Sequence, residues 1–226
     1  MRLVSQGIVT ALEAQKLNKQ RVNLYLDGEF AFGISLIEAA RLHKGQTLSE
    51  TEIEALRGRD AVLQVVDSAA HFMSFRPRSI QEVRQNLAEK EHPAEVIEAA
   101  INRLTAMGYL DDEAFAGFWV QNRGEFKPLS HRALRQELRQ KGVADEIITT
   151  VLESKDEGEM AYQAASGRVR RFKGLTQRDF RTKLTSFLQR RGFSYSTSKD
   201  VVTRMIEELE AQDPSYFNRT TNDEED

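Results

Sequence analysis

The chain has 226 residues, a formal net charge of −3, no cysteine, and 40% hydrophobic against 30% charged residues. That length holds one large domain or a few small modules with real cores. The missing cysteine excludes disulfides and thiolate metal sites, and a slightly acidic sum does not mark a dedicated nucleic-acid binder.

No apolar run reaches the length of a membrane span, and the start MRLVSQGIVTALEAQ lacks the core of a signal peptide. A cytoplasmic protein without membrane contact is expected. In chain order, residues 22–26 and 29–33 alternate polar and apolar around Asp27-Gly28, the signal of a type I′ hairpin. Residues 8–13 supply a third strand, because two strands alone are marginal. Two short helices are predicted next, over 35–42 and 49–57, and Ser49 with Glu52 has the capping-box spacing that opens the second.

From residue 59 the pattern is helical and it repeats. FRPRS at 75–79 and FKPLS at 126–130 share the form Phe-basic-Pro-x-Ser at a separation of 51, and FKGLT at 172–176 is a weaker third copy. The 51-residue shift superposes Val83 on Leu134, Leu87 on Leu138 and Ile97 on Ile148. A shift of 50 superposes Leu134 on Leu184 and Leu138 on Leu188, and after a short insertion near 194–200 a shift of 54 superposes Ile148 on Val202. Matched apolar positions across successive shifts are the mark of a repeat architecture. Each copy reads as three helices, the second capped by Ser79, Ser130 or Thr176, with Pro77 and Pro128 marking breaks. The predicted fold is therefore mainly α: three tandem three-helix repeats forming an elongated, curved module behind a small β front end. The expected boundaries are 1–58, 59–110, 111–155 and 156–211, with an acidic disordered tail over 212–226.

Between the first two repeats lies GYLDDEAFAGFW. Gly108 is suited to end one helix and Asp111 or Asp112 to cap the next. Phe115, Phe118 and Trp119, at i, i+3 and i+4, are expected to form the core face of that helix. Phe75, Phe126 and Phe172 are expected as core anchors, since burying a Phe contributes roughly 1.5–3 kcal/mol.

The polar residues point to binding and not to catalysis. Asp111 and Asp112 form the one tempting acid pair and read as caps. No Gly-Lys-Ser/Thr phosphate cradle occurs, and His43, His71, His92 and His131 lack metal-ligand spacing. Neither an enzyme nor a cofactor or metal is expected. Basic residues, by contrast, are concentrated. Arg132, Arg135, Arg139 and Lys141 lie largely outside on the second helix of the second repeat. Arg168, Arg170, Arg171, Lys173, Arg178, Arg181, Lys183, Arg190 and Arg191 follow against a lone Asp179. Stacked repeats would align such faces into a strip suited to phosphate backbone or to an acidic protein surface. The acidic tail could screen that strip.

RSIQEVRQNL, GYLDDEAFA and LRQELRQKGV together resemble the RecX family, regulators of the bacterial recombinase RecA, over roughly residues 59–210. VNLYLDGEFAFGISL resembles the N-terminal extension of its longer members. The resemblance implies tandem three-helix repeats without catalytic activity. It implies binding to RecA–DNA filaments and inhibition of filament growth, strand exchange and RecA ATPase, and so an effect on recombination, DNA repair and the SOS response. The partners implied are the RecA filament and, weakly, single- and double-stranded DNA, with a monomer expected. Two alternatives stay open: a DNA-binding module with a helix-turn-helix-like unit, and a helical protein-interaction scaffold independent of RecA.

Overall fold

The computed structural model describes residues 6–218. The chain divides into two compact units. One gathers residues up to 78 with 82–110, and the other 79–81 with everything from 111 onward.

The first unit opens with an antiparallel sheet in the order β3-β2-β1-β4: β1 Gln6–Ala14, β2 Arg21–Leu26, β3 Glu29–Ser35 and β4 Thr47–Ser49. Asp27 and Gly28 both have positive φ, 52° and 88°, as the type I′ turn between β2 and β3 requires. The meander predicted with three strands has a fourth. Thr47–Ser49 pairs with the start of β1 and is too short to show an alternating pattern. Val9, Val22, Leu24, Leu26 and Ile34 form its buried face, closed by Leu48, Ile53 and Leu56. The first predicted helix shrinks to one turn, α1 Leu36–Ala39.

The second predicted helix is the larger correction. It does not end at 57 but continues as α2, Glu50–Met73, straight through the junction expected at 58–59. Gly58 sits in open space and does not break it. Two residues further on, buried Asp60 fastens the helix to the sheet. Its carboxylate accepts from Arg21 Nη1 (3.2 Å) and Nη2 (2.9 Å), from the Ser35 amide (2.7 Å) and from Gln64 Nε2 (2.8 Å). The capping box between Ser49 and Glu52 is formed. The unit is completed by α3 Ile80–Glu89, whose first residues group with the second unit, and by α4 Ala94–Ala106.

The second unit is helical: α5 Asp112–Phe126, α6 His131–Gln140, α7 Asp145–Glu153, α8 Glu157–Val169, α9 Gln177–Arg190 and α10 Tyr195–Gln212, with a 3₁₀ turn at Arg170–Phe172. Asp111 caps α5, accepting from the Glu113 and Ala114 amides. The α5 core face is Phe115, Ala116 and Val120, with Trp119 half-buried. Phe118 is exposed, off the predicted face. Phe75 and Phe126 also overturn the expectation of core anchors, being 72% and 77% exposed. Each sits past the last buried turn of its helix, beside the proline break; Phe75 packs edge-on against His71 at 5.3 Å and Phe126 lines an open cleft. Phe172 packs edge-on against Phe180 at the margin of the core.

Inside this unit one joint recurs. The Ser130 amide donates to the Arg191 carbonyl (3.1 Å), and the His131 amide donates to Glu157 Oε1 (2.8 Å). Gly192 (φ +94°) brings its backbone so close that a Cβ there would lie 2.4 Å from Ser130 Oγ. The same arrangement appears at residues 79–81. Ser79 Oγ donates to the Lys141 carbonyl (2.6 Å), the Ile80 amide donates to Asp112 Oδ1 (2.9 Å), and a Cβ on Gly142 (φ +77°) would lie 2.4 Å from Gln81 Cβ. In the third copy, Tyr216 and Phe217 pack edge-on against buried Phe180, and backbone bonds link Gly174 to Tyr216 and Asn218 to Leu175. The tail predicted from 212 therefore contributes structure as far as 218; residues 219–226 lie outside the described residues.

Two outcomes follow for stability. Gly192→Ala, strained in φ and blocked by Ser130, should cost about 1–3 kcal/mol in denaturant unfolding, whereas Phe126→Ser should stay within about 0.5 kcal/mol. Asp213 takes hydrogen bonds from Ser215 and Lys173 that lower its carboxyl pKa to about 2. The group keeps its charge at lower pH in the folded state than in the unfolded one. Its support of this C-terminal turn is complete above the unfolded value and is lost as pH falls through about 2. A carboxyl NMR titration should find that midpoint, and Ser215→Ala should raise it.

Candidate nucleic-acid interface

On α6 the cap Ser130 accepts from the Ala133 amide (3.2 Å), and Leu134 and Leu138 are wholly buried. Helical spacing then places Arg132, Arg135 and Arg139 on one outer stripe. With Gln136 and Gln140 they line a shallow depression of about 460 Å³. The three arginines are not equivalent. Arg139 makes a two-bond ion pair with Asp145 (2.7 and 3.0 Å), which raises the Arg139 pKa and lowers that of Asp145. Arg135 Nη1 donates to the uncharged Thr149 hydroxyl (3.3 Å). Arg132 is exposed and has no carboxylate partner among the described residues. Lys141 lies over the Trp119 ring at 5.1 Å. That ring also carries Arg123 at 4.6 Å, and Glu137 accepts from both Trp119 Nε1 (2.8 Å) and Arg123 Nε (2.7 Å).

On α9, capped by Thr176, burial of Phe180, Leu184, Phe187 and Leu188 leaves Arg178, Arg181, Lys183 and Arg190 exposed. Arg181 Nη1 donates to Thr203 Oγ1 (3.0 Å), again a neutral partner. Arg170 and Arg171 are exposed in the 3₁₀ turn. Lys173 is paired with Asp213 at 2.9 Å. Arg168 and Arg191 share one ring, Phe187, at 4.6 and 5.1 Å. Burial, and then the Arg168 charge, lower the Arg191 pKa. Two guanidinium groups this close, without a carboxylate partner among the described residues, leave a concentrated positive site. Arg168, Arg171 and Arg191 also line a cleft of about 1630 Å³ with Phe126, Pro128 and Phe187. Glu125, Asp156 and Glu159 line it too, so the cleft is mixed in charge.

The thirteen predicted residues thus fall into separate groups: the α6 stripe, the α9 stripe, and the cluster around Phe187. Arg139 and Lys173 already spend their charge on internal pairs. The 50-residue shift places Thr182, Thr185 and Gln189 opposite Arg132, Arg135 and Arg139, so the two stripes are not copies of one another. Arg178 and Arg181 lie on the same side of α9 as Thr185, one to two turns nearer its N-terminus. The second-helix arginine of the first unit, Arg84 on α3, faces an acid. Its Nε and Nη2 donate to Glu98 at 2.6 and 3.1 Å, lowering the Glu98 pKa. Thr149 and Thr203 escaped the sequence reading because a threonine beside a basic helix carries no charge signal. Thr149 stands in register with Glu98, a clue that could have found it, whereas Thr203 lies one turn beyond the matching residue, Lys199.

Among the described residues no helix is long and apolar enough to cross a membrane.

Four family models match the chain. The regulatory protein RecX N-terminal domain matches residues 7–49, and the first, second and third RecX three-helix domains match 66–104, 111–152 and 156–202. Regulatory protein RecX of Lactobacillus delbrueckii subsp. bulgaricus is 32% identical over 210 residues, covering 90% of this chain and 77% of the relative. That of Bacillus subtilis is 30% identical over 207 residues, covering 89% and 77%. A crystal structure of regulatory protein RecX superposes with a TM-score of 0.69 at 28% identity, covering 89% of this chain and 99% of the other. RecX from Lactobacillus salivarius, at 22% identity and a TM-score of 0.56 over 68% of this chain and 99% of the other, shares the fold. A β front end followed by three helical trios, matched along nearly the whole chain, places the protein in the RecX family of regulatory proteins.

Proposed function

We propose that the protein is a negative modulator of the RecA recombinase, binding RecA–DNA filaments and inhibiting their extension, ATP hydrolysis and strand exchange. It thereby modulates recombination, DNA repair and the SOS response. The observation that carries this reading is the pair of cationic second helices in a chain that is acidic overall. The α9 helix bears Arg178, Arg181, Lys183 and Arg190 against Asp179, and α6 bears three arginines against Glu137. Cations held on a solvated helix face, with few exposed aromatics beside them, suit the sugar–phosphate backbone rather than base edges.

A net charge of −3 makes binding to free single- or double-stranded DNA weak. A filament presents phosphate and protein surface together, so two weak contacts combine into useful avidity. The action is steric and needs no chemistry or cofactor from this chain, which works as a monomer in the cytoplasm. A second reading, a DNA-binding module acting without the recombinase, draws on the capped basic second helices of the second and third trios.

Adding the protein at sub-stoichiometric amounts should slow DNA-stimulated ATP hydrolysis by the recombinase, and its affinity for recombinase-coated DNA should exceed that for bare DNA. Replacing Arg132 and Arg178 by Ala should flatten the log–log salt dependence of binding by about 0.7–0.9 for each phosphate no longer neutralised. Strong sequence-specific duplex binding without recombinase would favour the second reading.

A further inference from the structure

Each trio carries one arginine on its second helix that reaches across to the third helix. Residues 98 and 149 are equivalent at the shift of 51. By contrast, α7 and α10 begin at Asp145 and Tyr195, a shift of 50 that corrects the expected 54. This places Lys199 at the position of Thr149, with Thr203 one turn further along. Arg84 meets Glu98, Arg135 meets Thr149 and Arg181 meets Thr203. The first and second pairs are separated by the same 14 residues, the third by 22. The pair equivalent to Arg135 and Thr149 at the shift of 50 is 185 with 199; Arg181 lies one turn before 185 and Thr203 one turn after 199, which makes up the difference between 14 and 22. The third contact is therefore made one turn away from the level of the first two.

What differs is the charge of the partner. Glu98 holds Arg84 with two charge-assisted bonds and cancels it. Thr149 and Thr203 each hold one guanidinium N–H through a hydroxyl, which restricts the side chain yet leaves its full positive charge and its other donors in place. The helices agree with that division. The α3 helix has Arg84 against Glu82 and Glu89, whereas α6 and α9 are both net positive. Asp145, whose carboxylate also feels the Arg135 charge, is bound by Arg139.

We propose that the third-helix partner of this arginine decides whether a trio can bind phosphate: Thr149 and Thr203 present Arg135 and Arg181 to a phosphodiester backbone, while Glu98 closes the first trio to it. The inference rests on the reading that the protein engages filament DNA, and it goes further in assigning that contact to the second and third trios alone. Thr149 and Thr203 are positioning residues and do not touch the partner themselves.

The test uses the full-length protein and a labelled single-stranded oligonucleotide, bare and recombinase-coated, over a salt series. Thr149→Glu with Thr203→Glu gives each arginine an acid partner, as Arg84 has, and should flatten the salt slope by about 1.5, two phosphates at about 0.7–0.9 each, with at least ~10-fold weaker binding at low salt. Thr149→Val with Thr203→Val adds no charge and should stay within about three-fold. Glu98→Thr should do the reverse and steepen the slope by about 0.7–0.9. It serves as an independent arm should the double-glutamate variant fail to fold. If the wild type binds with a salt-dependent slope but neither the glutamate pair nor Glu98→Thr changes it, the inference is wrong and the functional reading stands. If the wild type binds neither DNA with salt dependence, both fall.

Discussion

Two buried side chains one turn apart hold each helical trio together: Val83 and Leu87 in the first, Leu134 and Leu138 in the second, Leu184 and Leu188 in the third, all without solvent exposure. Second helices of 10 to 14 residues would be marginal on their own. Their stability comes from seating this ridge between the first and third helices. Once the ridge is seated the helix cannot rotate, and every other residue on it inherits a direction. The arginines of α6 and α9 face outward for that reason alone. A change that loosened Leu134 or Leu138 would disperse the basic stripe before it unfolded the trio, because a cavity weakens the packing while the backbone hydrogen bonds persist.

Repeats of this kind leave polar groups at every end, and the joints account for them. The amide at the first turn of a second helix, which has no partner within that helix, is taken by an acid from the first turn of a following helix, as His131 is by Glu157. The glycine ending the next second helix then allows the two backbones to approach, as Gly192 does against Ser130. In the third trio the segment after α10 covers Phe180 with Tyr216 and Phe217.

Much of this was legible from residue spacing, and the misses have physical causes. The ridges, the caps Asp111, Ser130 and Thr176, and the type I′ turn each leave a periodic or local signature. Phe75 and Phe126 misled because size was read without position. An aromatic beyond the last buried turn stays on the surface, however apolar it is. Residues 47–49 escaped because three residues carry no alternation. The continuity of α2 escaped because it depends on Asp60 meeting Arg21 from 39 residues earlier in the chain, a long-range pairing that no local pattern encodes. Among the thirteen basic residues, sequence could not separate those already paired, such as Arg139 and Lys173, from those left without an acid. That separation depends on where Asp145 and Asp213 fall in space.

The charge of the whole chain is a poor guide to what it binds, because its carboxylates are unevenly spent. In the first unit Glu38 neutralises Arg41 and Arg59, Asp60 holds Arg21 and Glu98 holds Arg84. In the second unit Glu137, Asp145, Glu159, Glu208 and Asp213 pair with bases, while Asp111, Asp156 and Glu157 hold backbone amides at helix starts. A carboxylate bound to an amide still carries its charge, but that charge is fixed at a joint and directed toward a helix N-terminus. Among the described residues Arg132, Arg178 and Arg181 are left without an ion-paired acid. Identical numbers of acids and bases can therefore yield a neutral surface or a polarised one. The repeat architecture favours the second outcome, because each joint places an acid at a helix start and leaves the outer stripe of the second helix to vary independently.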